Sequence, residues 1–161
     1  MSLSLDGATG ISGVNGTASA PAIKGTDDNT GIFFGTDTAS ISTAGTERLI
    51  VDASGIDLNG SAASNAVAVS GYDIDCSLGN YFTKTCNGNS TFTISNVPAA
   101  RAFTIALEIT HTSGTLTWPA AIKWPADTPP TLTTGKTHLF VFVTDDGGTR
   151  WRGAAIVDYV N

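Results

Sequence analysis

The sequence predicts an all-β protein, in which an extended, glycine-rich β stem or arm precedes a compact antiparallel β-sandwich or jelly-roll domain. Three observations lead to this fold class. Straight-chain helix formers are scarce, and glutamate occurs only at Glu47 and Glu108, whereas strand-forming threonine and turn-forming glycine are abundant. Charged residues make up only 14% of the 161 residues. Apolar residues alternate with polar ones over several short stretches that are bounded by glycine or proline.

The chain divides into two unlike parts, which we expect to be residues 1–70 and 71–161. The first part is rich in small residues, and its only aromatic residues are Phe33 and Phe34. The second part contains all three tryptophans and all three tyrosines. A hydrophobic core is therefore expected in the second part, because the first part has too few large apolar residues to close one alone.

In the first part, a Gly-Ile step recurs at residues 10–11, 31–32 and 55–56. Short strands punctuated by glycine predict either a repetitive β structure or an irregular arm with one hairpin near residues 39–59. A thin sheet without a core exposes apolar side chains and strand edges, which pairing with other copies of the chain would cover. The first part therefore favours a homo-oligomer, most simply a homotrimer.

In the second part, the clearest strand is residues 102–110, which place Phe103, Ile105, Leu107 and Ile109 on one face by strict alternation. At least one of Ile105 and Leu107 should therefore be buried.

The neighbouring segments predict further strands and turns. Residues 91–95 alternate, and residues 96–99 would supply the turn into the strand at 102–110. Leu139–Val143 is a continuous apolar run, as expected for a strand that is covered on both faces. Residues 145–148 (Asp-Asp-Gly-Gly) predict a tight turn into a return strand.

Charge and hydropathy exclude several function classes. The net charge of −6 argues against a nucleic-acid partner, which attracts a basic surface, and against an anionic membrane surface. No apolar run approaches the roughly 20 residues of a spanning helix, so membrane insertion is not expected. The first residues lack the basic start and apolar core of a secretory signal, so we expect synthesis in a cytoplasm.

The sequence predicts neither a metal site nor a cofactor. Cys76 and Cys86 form no Cys-x-x-Cys motif, and His111 and His138 lie far from them in sequence. Two cysteines in a cytoplasmic product are expected to be reduced thiols. Asp27 and its neighbour Asp28 could bind a cation, but a solvated turn is the favoured interpretation.

No catalytic motif is present. The sequence contains no Gly-x-Ser-x-Gly elbow, phosphate-binding loop or His-Glu-x-x-His motif. Asp145 and Asp146 precede two glycines and are expected to open a hairpin turn rather than to form a catalytic pair. Asp73 and Asp75 are followed by residues that depart from the calcium-loop pattern. We therefore expect no catalytic residues and a protein that acts by binding alone.

The three tryptophans are the candidate ligand-binding residues. Trp118, Trp124 and Trp151 could form a platform on which a sugar ring stacks. The alternative is that they seal the core of a small sandwich, and the usual burial of tryptophan favours it.

A resemblance to tailed-bacteriophage virion proteins enters at the proline-rich segment. The segment Trp118–Pro125, continuing to Thr131, and the elements after it resemble the terminal domain of tail-fibre proteins. The matching elements are Thr133–Lys136, Leu139–Val143, Asp145–Gly148 and Trp151, with residues 80–82 and 91–94 resembling the entry of that domain. Residues 21–24, 29–33 and 44–48 are similar to phage stem repeats.

This resemblance implies a non-enzymatic virion structural protein. The first implied role is a short tail fibre whose terminal domain binds a host surface glycan or a virion partner. The alternative is a capsid decoration or cement protein that clamps neighbouring capsid subunits. Both roles imply other virion proteins as partners and a location in the virion. If the chain is complete, its first 70 residues would reach at most about 230 Å, which predicts a short peg rather than a long fibre.

Overall fold

The computed structural model describes residues 4–6 and 10–160, which form 19 strands and one short 3₁₀ turn at Pro125–Asp127. The predicted all-β class is confirmed. The chain separates into two compact units, Met1–Ala63 and Ser64–Asn161, so the division lies slightly before residue 70. In the described part of the chain, no helix is long and apolar enough to cross a bilayer.

The first unit is built from short antiparallel strands. They are β1 (Ser4–Asp6), β2 (Gly10–Ser12), β3 (Gly16–Thr17), β4 (Ala20–Pro21), β5 (Ile23–Lys24), β6 (Gly31–Gly35), β7 (Thr38–Thr43), β8 (Thr46–Asp52) and β9 (Gly55–Leu58). Strands β5 to β9 form a five-stranded sheet in chain order, while β1–β2 and β3–β4 are separate pairs. The three Gly-Ile steps of the sequence begin β2, β6 and β9.

The turn between β7 and β8 shows why this unit folds as a meander. Ala44 and Gly45 both have left-handed backbone angles, with φ values of 51° and 71°. Thr43 pairs with Thr46 across them. A two-residue turn with both residues left-handed matches the twist of the strands that it joins. Residues 39–59 form β7, β8 and β9, but they belong to a five-stranded meander and not to the single hairpin of an irregular arm.

The second unit contains ten strands. They are β10 (Ala66–Ala68), β11 (Asp73–Asp75), β12 (Tyr81–Asn87), β13 (Ser90–Thr91), β14 (Thr93–Ser95), β15 (Phe103–Ser113), β16 (Leu116–Thr117), β17 (Ile122–Lys123), β18 (Lys136–Thr144) and β19 (Trp151–Tyr159). A six-stranded sheet has the order β10-β12-β15-β18-β19-β17, and β11–β14 and β13–β16 form two small pairs. The strand predicted at residues 102–110 is confirmed as the middle of this sheet.

The six-stranded sheet is mixed, which differs from the purely antiparallel domain that the sequence predicts. Strands β15, β18 and β19 pair antiparallel, but β10–β12, β12–β15 and β17–β19 pair parallel. The predicted strand at residues 91–95 is interrupted at Phe92, which is buried. Its two halves pair with β16 and β11 instead of forming a hairpin with β15. The backbone N–H of Phe92 donates to Thr117 and that of Thr93 donates to Tyr72, so the segment changes its pairing partner at Phe92.

Among the residues whose burial is described, the hydrophobic core lies in the second unit, as predicted. Its buried apolar residues are Val69, Ile74, Cys76, Phe82, Cys86, Phe92, Ile105, Leu107, Ile109, Ile122, Phe140, Phe142 and Trp151. They come from one face of the six-stranded sheet and from the short strands and loops packed against it. Ile105 and Leu107 are both fully buried, which confirms the expectation that at least one of them is.

Strand β18 is covered on one face only, so the prediction of a strand covered on both faces is wrong. Phe140 and Phe142 are buried, whereas Leu139 and Val141 are half-buried and Val143 is 41% exposed. A continuous apolar run is the pattern of a strand with two covered faces. The second unit supplies a layer against one face and leaves the other face open.

Candidate functional site

The five-stranded sheet of the first unit has a mainly apolar face, which ends at Thr43 of β7, where the Arg48 side chain donates to the threonine hydroxyl. We call this apolar surface the aliphatic face. Strand register aligns its residues in two rows, Ile23–Ile32–Ile41–Leu49–Leu58 and Phe34–Ala39–Val51–Ile56. Ile56 is 67% exposed and Leu58 52%, and most of the other large members lie near 40%. Exposed apolar surfaces of this continuity are typical of interaction sites, which makes this face a candidate.

The burial of this sheet is inverted relative to an ordinary half-buried sheet. Among the described residues of the first unit from 13 onward, only Pro21, Ser40 and Ser42 are buried. Both serines lie on β7 on either side of Ile41, which is 42% exposed. The hydroxyl of Ser42 has no hydrogen-bond partner within the described residues. The small polar side chains are therefore covered, and the large apolar ones face outward.

The aliphatic face can bury apolar area against a partner, and neither of its rows contains a charged residue. Fully burying a Val, Leu or Ile side chain stabilises a complex by about 1.5–3 kcal/mol. Interfaces that lack charge at their centre and resemble half of a domain core are typical of permanent assemblies. This face is accordingly the strongest candidate functional site of the first unit.

Trp151 is buried, whereas Trp118 and Trp124 are half-buried and together line a cavity of about 400 Å³. Trp151 is 1% exposed and belongs to the core. Trp118 stacks on Phe92, with ring centroids 5.1 Å apart and an angle of 14° between the rings. The ring centroid of Phe140 lies 4.7 Å from that of Trp118, and Trp124 packs edge-on against Trp118 with centroids 5.5 Å apart. The structure thus brings Trp118 and Trp124 together, and their faces pack on aromatic side chains.

A cavity of about 280 Å³ lies beside Trp118, between the β15–β16 turn and the proline segment at residues 129–132. His111 lines this cavity and is 5% exposed. Its Nε2–H donates to the Gly114 carbonyl at 2.9 Å. Nδ1 is buried and has no partner among the described residues. Threonine, proline and tryptophan residues line the cavity beside this histidine.

The acidic pair at residues 145–146 lies in the turn between β18 and β19, as the sequence predicts. Asp146 accepts hydrogen bonds from the Thr144 hydroxyl at 2.9 Å and from the Arg150 backbone N–H at 3.0 Å. The Arg150 backbone bond holds the pKa of Asp146 below its usual range. Asp145 pairs with the Arg150 guanidinium at 3.0 Å. Both carboxylates are therefore engaged in stabilising the turn.

The other acidic candidates also bond to their own turns and strands. Asp73 accepts bonds from Thr93 and Ser95, which fasten β11 to β14. The Ser77 hydroxyl donates to Asp75 and lowers its pKa. These bonds occupy the carboxylate oxygens that a calcium loop would use.

Asp27 and Asp28 do not share a common ligand geometry. The Asn29 backbone N–H donates to Asp27 at 3.2 Å, whereas Asp28 pairs with Lys24. Within the described residues, no group of three or more His, Cys, Asp or Glu side chains is arranged to hold a metal ion. The solvated-turn interpretation of Asp27 and Asp28 agrees with these contacts.

The two cysteines are free thiols, and both are buried. Burial, together with the negative charges of Asp75 and Asp73, raises the pKa of Cys76 to about 11. Burial also raises the pKa of Cys86. A thiol with a raised pKa is protonated and unreactive at neutral pH, so neither cysteine is arranged as a nucleophile or redox centre.

No family model matches the chain, and no curated protein or solved structure matches it either. The fold class is therefore defined by the strand pairing of this chain. No family is assigned to it.

Sequence reasoning predicted that the first part would need a partner surface but did not identify the aliphatic face. The signal was present as alternation within single strands, such as Ile41 between two serines in β7. Which face is apolar becomes clear only when strand register aligns Ile23, Ile32, Leu49 and Leu58 across the sheet. In β6 the consecutive Ile-Phe-Phe residues hide that alternation.

Proposed function

We propose that the chain is a non-enzymatic structural protein of a tailed-phage particle, built as a short trimeric fibre with a terminal binding domain. The observation that carries the self-association is the aliphatic face, which is the main apolar surface of a unit without a buried apolar core. The phage assignment comes from the sequence resemblance at the proline-rich segment and the stem-like repeats.

Sheet dimensions favour three copies. Five strands spaced about 4.8 Å apart make a sheet about 19 Å wide. Three such sheets, set as the sides of a triangle with their aliphatic faces inward, would each lie about 5.5 Å from the axis. This distance is close to half of the roughly 10 Å that separates packed sheets, so the apolar side chains would fill the interior. The arrangement also brings the edge strands β5 and β9 next to neighbouring copies.

Binding without turnover is the function that the second unit supports. The described acidic side chains near turns are hydrogen-bonded locally, and the thiols are buried. The tryptophans pack mainly on the aromatic core, so ligand contact in this unit would come from the loops around the cavity beside Trp118. A host surface glycan or another virion protein is the partner class that this proposal implies.

A matched pair of lysine substitutions tests the trimer. Ile41→Lys places a charge in the centre of the aliphatic face, whereas Asp57→Lys places one on the opposite face of the same sheet. We expect the wild type and Asp57→Lys to have three times the 16.5 kDa mass of the chain by mass photometry. Ile41→Lys should be monomeric, or weaken association at least about a hundredfold, because burying an unpaired charge costs several kcal/mol. A monomeric wild type would contradict the proposal.

The position of the protein on the particle separates the two virion roles. Imaging of particles that carry a tagged chain should show the tag at the tail if the protein is a fibre. Tags distributed over the capsid surface would instead favour the decoration or cement alternative, in which the aliphatic face lies between capsid subunits. Absence of the tag from purified particles would contradict both roles.

A further inference from the structure

The open face of the six-stranded sheet in the second unit is a second uncovered surface. Its central residues form rows across β12, β15, β18 and β19. Three of these rows are Tyr81–Ala106–Val141–Ala154, Thr83–Glu108–Leu139–Ile156 and Thr104–Val143–Arg152. Ile156 is 59% exposed and Val143 41%. A sheet face that meets water alone is normally polar, whereas six of the eleven residues in these rows are valine, leucine, isoleucine or alanine, which indicates a surface that another molecule covers.

Two unlike charges lie on this face at positions symmetric about Val141. Glu108 is paired in register with Leu139, and Arg152 with Val143, on opposite sides of β18. Two strand spacings and four residues along β18 separate them, which is about 16 Å between their backbones. The two side chains cannot meet within one chain. Arg152 has no ion pair within the described residues, and it therefore presents a free cation to whatever covers the face.

The Glu108 carboxylate is positioned for an ion pair with another molecule. The Tyr81 hydroxyl donates to its Oε2 at 3.0 Å, which fixes the carboxylate on the open face. Oε1 has no hydrogen-bond partner in the part of the chain that the structure describes. A guanidinium from another molecule can bind this oxygen without displacing Tyr81.

We propose that this open face contacts the same face of other copies of the chain, and that Glu108 of one copy pairs with Arg152 of the next. The proposal rests on the self-association proposed above and adds a second contact region to it. The copies are related by a threefold axis that lies above Val141, parallel to the face and perpendicular to the line from Glu108 to Arg152. Glu108 of each copy then pairs with one neighbour and Arg152 with the other, so a ring of three closes with every charge paired.

Side-chain sizes on the face agree with this axis. At the same position along the threefold axis, Val143 lies opposite Ala106 of one neighbouring copy, and Leu139 lies opposite Ala154 of the other. Large side chains therefore meet small ones, which allows close packing. The four central strands cover roughly 500 Å² in plan, which two neighbours share, so this contact is smaller than the 800 Å² per partner of a specific interface and adds to the aliphatic face. Self-complementary charge and size favour a second copy of this chain over an unrelated partner.

Charge exchange in the full-length protein tests the pairing. Glu108→Arg and Arg152→Glu each place like charges together, so each should raise the dissociation constant measured by sedimentation equilibrium at least about tenfold. The double variant Glu108→Arg/Arg152→Glu restores opposite charges, with the positive charge at position 108 and the negative charge at position 152. It should return the dissociation constant to within about threefold of the wild type. Arg101→Glu is the control, because Arg101 is exposed and lies outside the strands of this face.

The outcomes distinguish this contact from the proposed trimer. A trimer whose dissociation constant is unchanged by both single variants would overturn this contact and leave the aliphatic face as the trimer interface. Two damaging single variants without rescue in the double variant would overturn the Glu108–Arg152 pairing. If Glu108→Arg lowers the melting temperature strongly, Glu108→Gln with Arg152→Gln provides the second test, in which each should weaken association by a smaller factor. A monomeric wild type would overturn both proposals.

Discussion

Ile105 lies at the centre of the core and makes the assignment of β15 testable at one residue. Its side chain is fully buried between the six-stranded sheet and the layer packed on it. Ile105→Asp would place an unpaired carboxylate there, so we expect the free energy of unfolding to fall by several kcal/mol. Ala102→Asp is the control, because Ala102 is exposed just before the strand. Chemical denaturation measures both, and similar midpoints for the two variants would contradict the burial of Ile105.

The two buried thiols should be unreactive in the folded protein. Because the pKa of Cys76 is raised to about 11, its thiol is protonated at pH 8, and Cys86 shows a shift in the same direction. The thiolate is the reactive form, so the raised pKa and the burial of each thiol both slow alkylation. We expect a thiol reagent to label neither cysteine in the native protein at pH 8 and both in denaturant, as read by mass spectrometry. Rapid labelling of either one in the native state would contradict its burial.

Burial could be predicted from the sequence at some residues and not at others, for a physical reason. Alternation correctly placed Ile105 and Leu107 inside, because the second unit supplies its own covering layer. The same rule applied to β7 would bury Ile41 and expose Ser40 and Ser42, yet the structure shows the reverse. Alternation identifies two faces of a strand, but which face is covered depends on what packs against it. The three tryptophans were ambiguous for the same reason.

The turn after β15 depends on a close approach of two glycines. Gly114 has a φ of +87°, and a Cβ at this position would lie 2.1 Å from the Gly88 carbonyl carbon. Gly114→Ala should therefore lower the free energy of unfolding by about 2 kcal/mol or more, through backbone strain and the clash. Gly88→Ala is the matched control, since a Cβ there meets nothing within 4 Å. Thermal melting compares the two, and equal melting temperatures would contradict the packing of this turn.

Strands and hairpin turns were predictable, whereas pairing between distant strands was not. The Ala44–Gly45 turn and the Asp-Asp-Gly-Gly turn act locally, so their residues alone predict them. The parallel pair β12–β15 depends on segments that are separated by two other strands in the chain. No local pattern encodes that partnership. It follows from burying Phe82, Leu107 and Phe92 together, which is a property of the whole core.

The proposed function predicts that the protein binds its partner without chemical turnover. The described carboxylates of Asp145 and Asp146 are engaged in a turn, and the chain has no catalytic motif. Incubation with host surface polysaccharide should therefore release no new reducing ends above background. Sustained release that is abolished by Asp145→Asn/Asp146→Asn would contradict this expectation. Saturable binding without product would agree with a fibre, and absence of binding would favour the decoration or cement alternative.

The parallel strand pairs of the second unit have a kinetic consequence. Strands β5 to β9 pair only with their neighbours in the chain, so each hairpin of the first unit can form as soon as its residues are present. In the second unit, Ser90 pairs in register with Leu116, and Ile122 pairs in register with Trp151. Closing the long loops between such distant residues costs conformational entropy before the contacts can form, which slows folding. The first unit should therefore acquire its strands early during synthesis, and the second unit should follow only when β18 and β19 have been made.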